Sequence, residues 1–290
     1  MKEPPFSLRD AIVAVIGLGL MGGSLAMALR AQKACRRILG ITRNAAARQA
    51  ALSGAIVDAA SPDLALVSEA DVIVLATPIR AILEQLPQVG AIARERAIIM
   101  DLGSTKLEIT RAMEGLPAHV EPIGAHPMCG KETFGYDAAD ADLYRDAVFV
   151  LTPLARTSAP TVACAESLAV TIGARPIILD AARHDKIVAA ISHLPFALAA
   201  TLMTTADELA EADNLLYFLA ASGFRDTSRL AAGDVTMMLD ILLTNHENVA
   251  AALRGYAHHL DELAELIDRQ DEVALRVVLQ DAAMKRRQLF

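Results

Sequence analysis

The sequence predicts an α/β protein, with an N-terminal doubly wound parallel sheet followed by an all-helical C-terminal domain. Three observations carry this. A glycine loop, Gly17-Leu18-Gly19-Leu20-Met21-Gly22, sits between an apolar run and a helix-like stretch. Short β-rich runs alternate with helical stretches up to Asp180. Beyond Asp180 the strand signal stops and only Ala- and Leu-rich helical periodicity remains.

Each element follows from local chemistry. Ala11–Ile16 (AIVAVI) is a continuous apolar run, as suits a central parallel strand buried on both faces. Leu20–Ala31 reads as a helix. Arg37–Ile41 is a second strand, and Asn44–Leu52 a second helix with Asn44 as its N-cap. Asp71–Ala76 (DVIVLA) is a strand stopped by Thr77-Pro78, and Ala97–Asp101 (AIIMD) is another. Glu121–Gly124, Ala147–Leu151 and Pro176–Leu179 are further strand candidates. Arg183–Leu209, Asn214–Leu219, Asp234–Gln270 and Glu272–Gln288 are the expected C-terminal helices, the last ending in cations that oppose the helix dipole. The domains are drawn as 1–180, dinucleotide-binding, and 181–290, helical. The C-terminal helices carry too little polar surface to face water all round, so a helical homodimer interface is expected.

Composition excludes several classes. Of 290 residues, 54 % are hydrophobic and 21 % charged, which excludes a disordered or low-complexity chain. With 27 Lys and Arg against 35 Asp and Glu, the net charge is -8, unlike a nucleic-acid binder. Three cysteines without metal-type spacing fit a reducing cytoplasm. Met1–Asp10 does not resemble a signal peptide. Ala11–Leu29 carries no charge, but its four glycines argue against a membrane span, and Ile187–Met203 is interrupted by His193 and Pro195. No metal site is expected.

The glycine loop follows a buried-type strand and opens a helix, which makes G-x-G-x-x-G a Rossmann-type dinucleotide signature. Gly17 permits the tight turn, Gly19 lets the backbone approach a pyrophosphate, and Gly22 lets the helix pack on the strand. The free N–H groups at Leu20 and Met21 face the phosphates. A glycine-rich turn without a ligand is the alternative. The residue that distinguishes NAD from NADP ends the second strand, about 20 residues on, at Thr42. An acidic side chain there would bond the ribose 2′-hydroxyl and repel a 2′-phosphate. Thr42 does neither, and Arg43, beside Asn44, brings a cation. NADP is therefore expected; in the alternative, Arg43 stacks on the adenine and NAD also serves. Thr77, Pro78 and Gly103 end later strands at the same edge and line the crevice, unless Pro78 merely starts a helix.

Ser104 would lie on the ligand side of the sheet, or cap the following helix, or both. His126 stands at a strand end in Gly124-Ala125-His126-Pro127 and is an acid–base candidate, or a structural histidine, because imidazole titrates near neutrality. Such a base predicts an acid limb in the pH profile at about 6–7. Cys129, three residues on, raises a Cys–His nucleophile, though a small buried Cys is commoner. His184 and Asp185 fall near a helix start. His184 and His193 are expected to face opposite sides of a helix, which argues against a metal pair, and Pro195 is expected to kink it. Arg225 and Arg229 share a helical face with Asp226 within reach of Arg229, offering either a carboxylate anchor or a surface ion pair.

The set GLGLMGGS, ATPI, DLGSTK, GAHPMCGKE, HDKIVAAISHLP and GFRDTSRL, in this order and over nearly the whole chain, resembles the prephenate/arogenate (cyclohexadienyl) dehydrogenase family of tyrosine biosynthesis. The resemblance implies that His126 accepts the proton of the ring 4-hydroxyl as hydride leaves for the nicotinamide, and that CO2 loss then aromatises the ring. It implies that Ser104 bonds the same hydroxyl and that Arg229 binds substrate carboxylate. Asp226, Glu132 and His193 match residues that frame the pocket. Members that prefer prephenate often read SHLPH where this chain has Phe196, and many NAD users carry Asp at Thr42; both departures resemble NADP-using, arogenate-type members. The chain is expected to lack the regulatory domain and the fused mutase of some relatives. Rival readings are a β-hydroxyacid dehydrogenase or imine reductase type, which acts through a lysine absent from any such motif around Lys186, and a non-catalytic NADP sensor.

Overall fold

The structure, a computed structural model, describes residues 7–289; much of the Met1–Asp10 stretch read as lacking a leader lies outside it, as does Phe290. Eight strands form one sheet: β1 (Ile12–Ile16), β2 (Arg37–Ile41), β3 (Ala59–Ser61), β4 (Val72–Leu75), β5 (Ile98–Asp101), β6 (Glu121–Pro127), β7 (Val148–Pro153) and β8 (Arg175–Ile178). Their order is β3-β2-β1-β4-β5-β6-β7-β8. All neighbours are parallel except β6 and β7. Helices α1 (Leu20–Ala31), α2 (Ala45–Ser53), α3 (Ile79–Ile92), α4 (Leu107–Glu114) and α5 (Ala159–Thr171) cover its faces.

Burial on both faces explains the unbroken apolar run of β1. Val13 and Val15 pack with Leu25 and Leu29 of α1. Ile12, Ala14 and Ile16 pack on the other side with Ile82 and Leu86 of α3. α1 spans the expected residues, and Asn44 caps α2 by accepting the Ala47 N–H at 3.1 Å. β3 was not foreseen: its sequence, AAS, has no β-branched or aromatic residue. β7 runs antiparallel because no crossover helix separates it from β6. The connecting chain instead folds over the start of α1, where buried Tyr144 donates to Met21 O at 2.6 Å and the Asp140 N–H to Ser24 Oγ at 2.8 Å.

The C-terminal part comprises α6 (Ala181–Val188), α7 (Leu194–Ala210), α8 (Ser222–Ser228), α9 (Val235–Thr244), α10 (His246–Asp268) and α11 (Glu272–Leu289). Just before Pro195 one π-turn, Ala189–His193, joins α6 to α7, and Leu194 N bonds back to Ala189 O. The joined helix 181–210 is long and apolar enough to cross a membrane by length and composition, but it turns His184, Asp185 and His193 into the protein interior. Two expectations are corrected. Asn214–Leu219 forms turns rather than a helix; it spans fewer than two helical turns, and Leu215, Phe218 and Leu219 stand exposed. The helix expected over Asp234–Gln270 breaks at Asn245, whose side chain is drawn into buried hydrogen bonds.

A buried ion pair welds β5 to β6. The Asp101 carboxylate accepts the Gly103 N–H at 2.7 Å and the Ala125 N–H at 3.1 Å, and pairs with Lys106 Nζ. Lys106 Nζ also donates to Ala125 O at 2.7 Å. Burial pushes the Asp101 carboxyl up and the Lys106 amine down, against their mutual attraction. A pair of this kind adds little net stability, yet losing one partner strands the other charge. Lys106→Met is therefore expected to cost about 3–5 kcal/mol, read as a lower denaturant midpoint at unchanged slope.

Candidate active site

At the glycine loop Gly17 has φ +94°, and a Cβ there would lie 2.8 Å from Ala76 O. A Cβ on Gly22 would lie 1.9 Å from Gly17 O, so the helix can approach the strand only with glycine. A Cβ on Gly19 would meet nothing within 4 Å. The loop is thus tight where it turns and open at the end of α1. No side chain caps α1, and its first internal bond starts at Gly23, which leaves the N–H groups of Leu20, Met21 and Gly22 facing outward. This cradle fits a dinucleotide pyrophosphate.

Beside it, β2 ends at Ile41. Thr42 Oγ1 accepts the Asn44 N–H at 3.3 Å, its carbonyl accepts Arg48 Nη1 at 2.6 Å, and Arg43 is exposed without an ion pair among the described residues. Thr77 Oγ1 bonds Gln85 at 2.9 Å, and Pro78 starts α3. At Gly103 a Cβ would lie 2.6 Å from Ile109 Cδ1 and 2.9 Å from the buried Asp101 Oδ2. Ser104 is half-buried and does not cap α4. That work falls to Asp185 of the other half of the chain, whose two oxygens accept Lys106 N at 2.7 Å and Leu107 N at 2.9 Å.

The registers put Ile16, Leu75 and Asp101 in one row at the C-terminal edge of the sheet. Ile123 pairs with Met100, so Gly124 is level with that row and His126 stands two residues beyond it. His126 Nδ1 lies 2.8 Å from His184 Nε2, and His184 Nδ1 lies 2.7 Å from Asp185 Oδ1. Burial first, and then the neighbouring His184, Lys106 and His193, hold the His126 pKa well below the usual 6.5. The acid limb expected at about 6–7 for an ordinary imidazole therefore moves lower. His126 is neutral near neutrality, as a proton acceptor must be.

His184 and His193 do not face opposite sides. The extra residue of the π-turn changes a separation of about 180° to about 80°. Both are buried and both lie close enough to influence His126. His193 Nδ1 accepts from Asn245 Nδ2 at 3.2 Å, and the same amide donates to Asp185 O at 2.8 Å. Burial pushes the His193 pKa down to about 4, so Nε2 is the nitrogen that carries its hydrogen. Cys129 has its thiol pushed up to about 11 by burial and is no nucleophile.

Arg229 follows α8 and pairs with Glu132 from the β6–β7 connection, not with Asp226. The α-helix ends at Ser228, which moves Arg229 off the expected face. Arg225 and Asp226 are exposed on α8. The structure thus gathers His126, His193, His184 and Lys106, and joins Arg229 to Glu132 across the two halves of the chain. Sequence reasoning missed Asp185, Lys106 and Asn245 as part of this network. The available signal was their placement: charged or polar residues beside otherwise apolar runs.

Residues 25–178 match the family described as prephenate dehydrogenase, nucleotide-binding domain, and residues 180–281 match prephenate dehydrogenase, dimerization domain. A prephenate dehydrogenase of Lactococcus lactis is 36 % identical over 91 % of this chain and 73 % of its own length. The crystal structure of prephenate dehydrogenase from Aquifex aeolicus with hydroxyphenyl propionate and NAD+ superposes with TM-score 0.90, at 30 % identity, over 96 % of this chain and 98 % of that one. Synechocystis arogenate dehydrogenase superposes with TM-score 0.82, at 32 % identity, over 96 % of this chain and 100 % of that one. A dinucleotide cradle and a neutral histidine at one sheet edge accord with these likenesses, and the chain belongs to the prephenate dehydrogenase family, NAD(P)-dependent enzymes of oxidative decarboxylation in tyrosine biosynthesis.

Proposed function

We propose that His126 is the base of this reaction, acting through Nε2 on prephenate or arogenate. The observation that carries the reading is its position two residues past the sheet edge that also bears the glycine loop. Gly17, Gly19, Leu20, Met21 and Gly22 hold the pyrophosphate, and Thr77, Pro78 and Gly103 line the crevice. A nicotinamide dinucleotide held there would supply the acceptor for the hydride of the ring carbon that bears the hydroxyl. His126 takes the hydroxyl proton, and Ser104 bonds the same oxygen. The ring carboxylate then leaves as CO2, its bonding pair completing the aromatic ring, and the resulting phenolate oxygen takes the proton back from His126. His193 offers Nε2–H to substrate, and Arg229 binds a carboxylate in the place where it now meets Glu132, framed by Asp226 and Arg225.

The preferred cofactor is NADP. Thr42 brings no carboxylate to repel a 2′-phosphate, and the exposed Arg43 supplies a cation beside Asn44. The functional units are residues 1–180 and 181–290. The second forms a homodimer, because Leu209, Phe218, Val235, Leu239, Leu260 and Val273 are among its exposed apolar side chains. The three free cysteines suit a cytoplasmic enzyme.

His126→Asn should lower kcat about 10²–10⁴-fold with little change in cofactor KM, measured by absorbance of the reduced nicotinamide. In the unaltered enzyme the neutral imidazole is the active form, so kcat/KM should hold steady as pH falls to 6.5 and decline only below it. A decline already complete by pH 6.5 would assign the limb to another group. Arg43→Ala should raise the KM for NADP at least tenfold and leave that for NAD nearly unchanged, since a charge-assisted contact is worth about 1.5–3 kcal/mol. Light scattering at micromolar concentration should give about twice the chain mass; a fully active monomer would refute the dimer.

A further inference from the structure

We propose that His184 and Asp185 are positioning residues for the reaction, fixing His126 in the tautomer that presents the Nε2 lone pair to substrate. The proposal rests on His126 being the base. The Asp185 carboxylate is itself fixed: both oxygens accept backbone N–H groups, from Lys106 and from Leu107, and the side chain is completely buried. A carboxylate oxygen only accepts, so the His184 Nδ1 at 2.7 Å carries the hydrogen. The same ring then offers the Nε2 lone pair to His126, whose Nδ1 lies 2.8 Å away and must donate. That leaves Nε2 of His126 without a hydrogen. Among the described residues it has no hydrogen-bond partner, and it is not among their buried atoms left unpaired.

His184 is 1 % exposed, so water does not compete for either bond. The rings meet edge-on at 78°, with centroids 5.0 Å apart, which aligns the in-plane nitrogen of one with that of the other. When Nε2 takes the substrate proton, the donor Nδ1–H strengthens and the new charge faces Asp185 through His184. The other charged or titratable groups around His126 are His193 from the π-turn and Lys106 ahead of α4, with Asp101 behind Lys106. Among the carboxylates in this network, Asp185 is the one joined to His126 by a chain of side-chain hydrogen bonds. Asp101 is occupied by Lys106 and two backbone N–H groups.

The test is ¹⁵N NMR of histidine-labelled enzyme, with the His126 signals assigned by their loss in His126→Asn. At neutral pH Nδ1 should appear protonated and Nε2 unprotonated. His184→Leu should mix the tautomers and lower kcat about 10–100-fold, with the KM for cofactor unchanged. His184→Gln should restore part of that loss, because its amide oxygen can accept the Nδ1 hydrogen. A hydrogen on Nε2 in the unaltered enzyme overturns the proposal. So do equal losses in both variants with the tautomer unchanged. If His184→Leu does not fold, the nitrogen pattern of the unaltered enzyme and of His184→Gln decides. A His126→Asn variant with normal kcat would remove the base assignment instead, while the nitrogen pattern still reports on the relay.

Discussion

The buried carboxylate of Asp185 is the constraint on which the site depends. It belongs to α6, yet it supplies the N-terminal cap that α4 lacks in its own sequence. Its backbone carbonyl takes the Asn245 amide at the break between α9 and α10. One residue thus sets the spacing between the sheet and the helical part, and the same oxygen that caps Lys106 also orients His184. Further clasps repeat this join: Arg80 with Asp240 at 2.5 Å and Thr105 with Thr244 at 2.8 Å. The buried Asp185 carboxylate is tolerable because Lys106 N, Leu107 N and His184 Nδ1 donate to it and Asn245 donates to its backbone carbonyl.

The electrostatics follow from position rather than from net charge. An acidic chain can still offer an anion a local cluster of donors: free N–H groups at α1 and, just past β2, the exposed cation of Arg43. The histidines work the other way. Burial lowers the proton affinity of both His126 and His193, with Lys106 adding to the effect at His126, so both rings are neutral near neutrality. Desolvation acts alike on both rings; their hydrogen-bond partners, His184 for one and Asn245 for the other, make them differ.

The joined helix 181–210 shows how a local irregularity serves the site. A regular helix would have placed His184 and His193 on opposite sides, and only one could have faced the sheet edge. The π-turn rotates the second half, with Leu194 N reaching back five residues to Ala189 O. The apolar side chains left outside on α7 to α11 are what remains after that inward face has been filled.

Local chemistry alone determined most of the fold. Apolar runs ending close to Gly or Pro defined β1, β4 and β5, and the glycine spacing marked the tight turn between β1 and α1, because such patterns are properties of neighbouring residues. His126, Ser104 and Arg229 were legible as motif members. Tertiary structure decided what no local pattern encodes. β3 pairs only because β2 offers an edge, and β7 reverses because its connection runs over α1. Arg229 meets Glu132 rather than the adjacent Asp226 because the helix ends before it. Asp185 and Lys106 read as an ordinary helix-start acid and a loop lysine until folding buried them together. Their roles arise from partners 79 positions apart in the chain, Lys106 and Asp185, brought within 2.7 Å. Hydrogen-bond saturation of a buried charge is a condition on the whole fold, so it becomes visible only once the two halves are joined.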